Sequence, residues 1–118
     1  MKKKAIIATC LSLVLLFALT GVVWAGTINY QTINTTHKRI GTESKQTVSS
    51  TGSVKVTGVS TETVRWYAYF KDSNHTYAGK SAIGNATVYP ASGVVGTNIS
   101  LYMYTGSGSV MVYGSWNP

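Results

Sequence analysis

Few side chains in this sequence can exchange protons near neutral pH: Glu43, Glu62, Asp72, His37 and His75. Asp72 and His75 lie close together in Asp72-Ser73-Asn74-His75. A loop with that spacing can set a carboxylate against an imidazole, with Ser73 as a nucleophile or the pair as a weak metal site. The spacing is the signature of neither a catalytic triad nor a metal centre, and Asp, Ser and Asn in succession also make an ordinary solvated turn. The one cysteine, Cys10, sits inside an N-terminal apolar run and reads as apolar filler. This argues against a disulfide framework, a thiolate metal site and a thiol enzyme. The glycines around Thr105 suit a hairpin better than a phosphate-cradling loop. The expectation is therefore a protein that is not an enzyme and uses no cofactor or metal.

Tyrosine is what the chain has in excess: it contains eight, against three carboxylates. Arg65, Tyr67, Tyr69 and Lys71 alternate with apolar residues, and Tyr102, Tyr104 and Tyr113 recur in the same way further on. If their strands share one sheet, these seven residues form a tyrosine-rich, basic face. A tyrosine ring can stack on a sugar or pack at a lipid headgroup while its hydroxyl makes hydrogen bonds, and neighbouring cations favour anionic partners. A cell-wall polymer, an anionic glycan and a membrane surface all fit that description. The plainer reading is that tyrosine is simply a good strand residue, and that this face packs under a loop or against another subunit. Nucleic acid is not expected, because Lys38-Arg39 is the only basic pair beyond the N-terminal lysines.

A chain of 118 residues provides for one domain. Lys2, Lys3 and Lys4 precede the apolar stretch Ala5 to Leu19 and then Thr20-Gly21-Val22-Val23-Trp24-Ala25. This is the pattern of a signal peptide cleaved after Ala25, with Val and Ala at the positions the peptidase reads. The alternative is an uncut membrane anchor, since the run is about long enough to span a bilayer. Setting residues 1–25 aside leaves 93 residues whose formal charge falls from +7 to +4, with no cysteine and 26 Ser plus Thr. The expected protein is secreted or extracellular, from a Gram-positive-like bacterium, and held together by packing alone.

The remainder divides into a polar Ser/Thr-rich segment, 26–52, and a main β core, 53–118, together forming one domain. Ile28 and Tyr30 suggest a first strand, and 34–50 an irregular or edge-strand region. Strands are expected at 53–57, 63–71, 81–89, 98–105 and 109–116, from β-branched and aromatic alternation bounded by turn residues. Helical spacing of apolar residues is absent after Gly26. The predicted fold is therefore all-β: a small antiparallel sandwich or partly closed barrel. Period-two alternation puts Val64, Trp66, Ala68 and Phe70 opposite Arg65, Tyr67, Tyr69 and Lys71. It likewise puts Ile99, Leu101 and Met103 opposite Ser100, Tyr102 and Tyr104, and Val110, Val112 and Trp116 opposite Met111, Tyr113 and Ser115. A two-residue Gly106-Ser107 turn would pair Met103 with Val110 and Leu101 with Val112, keeping the aliphatic side chains on one face of a hairpin. So short a chain has a thin stability margin, which homo-oligomerisation or surface binding would widen.

Asn-X-Ser/Thr sequons at Asn34, Asn74, Asn85 and Asn98 follow from a composition rich in these residues. Across residues 73–88, from Ser73-Asn74-His75 to Ala86-Thr87-Val88, the chain resembles the lactococcin-972-like bacteriocins. Its size, leader, lack of later cysteines and aromatic-rich β character resemble them too. The resemblance implies a secreted cationic antibacterial protein and carries no residue roles. Three functional readings follow: a non-enzymatic β-domain that binds the envelope, a glycan or a protein through the Tyr/basic face; the antibacterial protein; and a structural subunit of an extracellular matrix or fibre that assembles through strand edges.

Overall fold

The computed structural model describes residues 25–118, and the expected leader lies outside them apart from Ala25. Eight strands follow in chain order: β1 (Gly26–Ile33), β2 (Lys38–Ser44), β3 (Ser53–Val59), β4 (Arg65–Lys71), β5 (Lys80–Ile83), β6 (Ala86–Val88), β7 (Asn98–Thr105) and β8 (Val110–Asn117). They form two four-stranded antiparallel sheets, ordered β1-β8-β3-β6 and β2-β7-β4-β5. The protein is a two-sheet sandwich. The sheets do not close on each other, so the barrel alternative does not apply.

The core lies between the sheets and consists of the apolar sets that alternation identifies. Trp66, Ala68 and Phe70 of β4 and Ile99, Leu101 and Met103 of β7 point inward from one sheet. Ile28, Val54, Val56, Val110, Val112 and Trp116 point inward from the other. Burying each large side chain contributes about 1.5–3 kcal/mol, which offsets the ordering entropy of the chain. One charged group joins this interior: Lys45, whose ammonium donates to the Pro118 carbonyl oxygen at 3.1 Å.

Two expectations about connectivity are corrected. β7 and β8 do not form a hairpin: β7 pairs with β2 and β4, while β8 pairs with β1 and β3. Gly106-Ser107-Gly108 is a corner that carries the chain from one sheet to the other, with Gly108 at φ 72°. Both strands bury one face, and in a sandwich an inward side chain opposite another can belong to the facing sheet as readily as to a neighbouring strand.

The single strand expected over 81–89 is instead two, β5 in one sheet and β6 in the other. The break falls at Gly84, whose φ of 74° is open to glycine at little cost. Its carbonyl accepts a hydrogen bond from Trp66 Nε1 at 2.9 Å, so one of the two core tryptophans anchors the crossing. The segment expected to be irregular or edge-like contains β2, an edge strand paired only with β7. Of the seven chain connections, only β4 to β5 joins neighbours in one sheet. Its loop, residues 72–79, turns back along the edge of β4, with Thr76 bridged to Lys71 and the Tyr77 N–H donating to the Phe70 carbonyl at 2.9 Å.

Candidate functional site

On the outer face of the β2-β7-β4-β5 sheet, the β4–β7 ladder sets Tyr67 opposite Tyr104 and Tyr69 opposite Tyr102. Directly opposed side chains in an antiparallel pair share a face and lie close enough to touch. Here they stack, with ring centroids 4.8 Å apart at 10° for Tyr67–Tyr104 and 5.3 Å apart at 13° for Tyr69–Tyr102. All four rings are half-buried.

His37, from the segment between β1 and β2, extends this platform. Its ring stacks on Tyr104 at 3.9 Å and 11°, and its Nδ1 lies 2.8 Å from the Tyr69 hydroxyl. Burial, then the nearby Tyr102 and Tyr104, push the Tyr69 pKa up. The phenol therefore keeps its proton and can donate to the imidazole.

Beside the platform runs a groove of about 490 Å³, lined by His37, Tyr67, Tyr69, Tyr104, Thr76, Tyr77, Lys80 and Ser81. Tyr77 borders it from the β4–β5 loop and also packs against the hydrophobic core. The Tyr77 hydroxyl donates to Asp72 Oδ2 at 2.5 Å, while Asp72 Oδ1 accepts the backbone N–H of Asn74 and of His75, each at 2.7 Å. Asp72 is thus occupied in holding the loop. His75 Nδ1 stands 3.7 Å from it, and the His75 side chain is 71% exposed. The arrangement is an Asx turn that ties down Tyr77, and among the described residues no serine hydroxyl is bonded to the pair. Among the described residues, no cluster of three His, Cys, Asp or Glu is placed to hold a metal ion.

Cations surround the rings. Lys71 Nζ lies 5.9 Å from the Tyr102 ring centroid, at the range of a cation–π contact. Arg65 donates to Ser81 Oγ at 3.2 Å, Arg39 is registered opposite Tyr102, and Lys80 borders the groove.

The structure therefore brings together six of the seven residues singled out from sequence: Arg65, Tyr67, Tyr69, Lys71, Tyr102 and Tyr104. Tyr113 is not among them. It belongs to β8, and its side chain lies on the outer face of the other sheet, against Tyr30. The separation follows from the β7–β8 corner. Sequence reasoning also missed His37, Tyr77, Lys80 and Arg39 as members of the site. His37 meets Tyr69 across 32 residues of chain, and its only sequence signal is an aromatic base next to Lys38-Arg39.

No protein-family model, curated protein or solved structure matches the chain.

The Asp72–Tyr77 contact makes a pH prediction. The Tyr77 hydroxyl and the N–H groups of Asn74 and His75 hold the Asp72 carboxyl below its usual range. The same contact raises the Tyr77 pKa. A depressed carboxylate stabilises the fold fully above its unfolded-state pKa of about 3.9, and that contribution is lost as pH falls through the lower folded-state value. A raised phenol stabilises below about pH 10 and loses its contribution as pH rises through its folded-state value. The loop tie is thus complete from mildly acidic to mildly alkaline pH. In Asp72→Asn, the alkaline titration of the Tyr77 ring, followed by NMR, is expected to move down toward the ordinary tyrosine value. An unmoved titration would show that the carboxylate does not hold the ring.

Proposed function

We propose that this protein is a secreted, non-enzymatic binding module whose tyrosine face holds an anionic glycan or wall polymer of the cell envelope. One observation carries the reading: two stacked tyrosine pairs and His37 form a half-exposed aromatic platform beside a groove edged by Lys80. Flat rings of this kind accept the apolar face of a sugar, while their hydroxyls, Ser81 and Thr76 offer hydrogen bonds to its polar edge. Arg39, Arg65, Lys71 and Lys80 supply the attraction for negative charge. The groove lining contains phenols, one imidazole and one ammonium but no carboxylate, which supports holding a ligand over transforming it.

Retention on purified cell wall tests the proposal. Tyr67→Ala combined with Tyr102→Ala removes one ring from each stacked pair, and losing two aromatic anchors costs about 2 kcal/mol or more. That is at least a tenfold loss of affinity. Binding should also weaken as salt is raised, because the cations act through screened interactions. Unchanged retention by the double variant would sink the reading. Growth inhibition of related strains by the purified wild-type protein would instead favour the antibacterial role.

A further inference from the structure

We infer that the opposite face of the sandwich carries a second, separate saccharide site, built on Tyr30 and Tyr113 and suited to neutral pyranose rings. The backbone is shaped around these two side chains. β8 runs between β1 and β3, and both neighbours break register at the level of Tyr113: β1 between Ile28 and Gln31, β3 between Val56 and Gly58. Bulges re-aim side chains and gather at functional surfaces, and two of them flanking one residue leave Tyr30 and Tyr113 together, with centroids 4.4 Å apart at 33°. The Tyr113 ring lies against Gly58, occupying the space a Cβ there would need. Tyr30 is 69% exposed, so this aromatic pair is rigid below and open above.

Next to the pair is a groove of about 460 Å³ that also includes Ser60, Glu62, Asn85 and Met111. Reciprocal hydrogen bonds fix its rim: Ser60 N donates to the Met111 carbonyl at 3.0 Å, and Met111 N donates to Ser60 Oγ at 2.9 Å. Glu62 is the only charged residue of this lining, the reverse of the basic tyrosine face. A carboxylate accepts paired hydrogen bonds from sugar hydroxyls and repels acidic sugars, while the Asn85 amide offers both donor and acceptor. The chemistry selects an uncharged pyranose stacked on Tyr30 and hydrogen-bonded at its edge. With one groove on the outer face of each sheet, a single molecule can bridge two glycan strands, raising avidity without any new contact.

The test uses two neutral β-linked tetrasaccharides, cellotetraose and tetra-N-acetylchitotetraose, titrated into the wild-type protein by NMR. At least one should bind saturably. Tyr30→Ala changes an exposed ring outside the core and should weaken binding about tenfold, whereas Tyr30→Phe should stay within about twofold of wild type. Tyr67→Ala with Tyr102→Ala should leave tetrasaccharide binding unchanged. The inference is overturned if neither sugar saturates, if Tyr30→Ala binds like wild type, or if the Tyr67/Tyr102 variant alone abolishes binding. Retention on cell wall is measured separately, so failure of this site and failure of the tyrosine face are distinguishable.

Discussion

Trp66→Ala is expected to remove about 3–5 kcal/mol of stability, among the largest effects of any single substitution in the core. Trp66 is fully buried and, with Trp116, is one of the two largest side chains between the sheets. Truncation removes its transfer free energy and leaves a cavity in an interior that cannot fully collapse. It also takes away the N–H donor to the Gly84 carbonyl, at the point where the chain passes from β5 to β6. Domains of this size hold about 5–15 kcal/mol in total. The loss is therefore a large share of the whole and should lower the melting temperature by about 12 °C or more. Chemical denaturation followed by fluorescence of Trp116 measures it. Trp66→Phe keeps most of the apolar volume and should cost clearly less. A Trp66→Ala penalty below about 1 kcal/mol would contradict the packing described.

Gly114→Ala is expected to be the next most damaging change, for a different reason. Gly114 lies in β8 opposite both Ile28 of β1 and Val56 of β3. An added Cβ there would collide with the Lys55 carbonyl and approach the Val56 Cα at 3.0 Å. The obstacle is backbone, which cannot rotate away as a side chain can. Relief requires β3 and β8 to separate, breaking the ladder through the centre of that sheet. Overpacking of this kind costs about 1–3 kcal/mol and occasionally more, and amide exchange should speed up along β3 and β8 before the other sheet is affected. Exchange rates unchanged in both strands would mean that the strands already have room for a methyl group. Because the site adjoins both bulges, Gly114→Ala should also disturb the Tyr30–Tyr113 pair while leaving the Tyr67–Tyr104 stack intact.

Much of the fold is legible in residue order. β-branched and aromatic alternation locates β3, β4, β7 and β8 to within about two residues, and it separates Trp66, Phe70, Leu101 and Val112 from the tyrosines. That local signal is strong because alternation by two is imposed by strand geometry itself. It weakens where strands are short or polar. β2 carries one aliphatic residue, Ile40, and β5 and β6 have only four and three residues, one before Gly84 and one after it.

The candidate site is legible in the same proportion. Tyr67, Tyr69, Tyr102 and Tyr104 share an outward parity with Arg65 and Lys71, and the β4–β7 ladder places them side by side. Tyr113 has the same parity within its own strand yet lies across the molecule. His37 and Tyr77 have no periodic signal because they reach the groove from connections between strands.

By itself the sequence determined an all-β chain, which side chains turn inward, and a surplus of tyrosine and basic residues on outward positions. Only the tertiary structure decided which strands share a sheet, and with that the division of the aromatic residues into a basic platform on one face and the Tyr30–Tyr113 pair on the other. The physical reason is that side-chain alternation records burial, a property of each residue with respect to solvent. Strand partnership is recorded in hydrogen bonds between distant segments and in the corner geometry at Gly84 and Gly108, which the alternation of neighbouring residues does not encode.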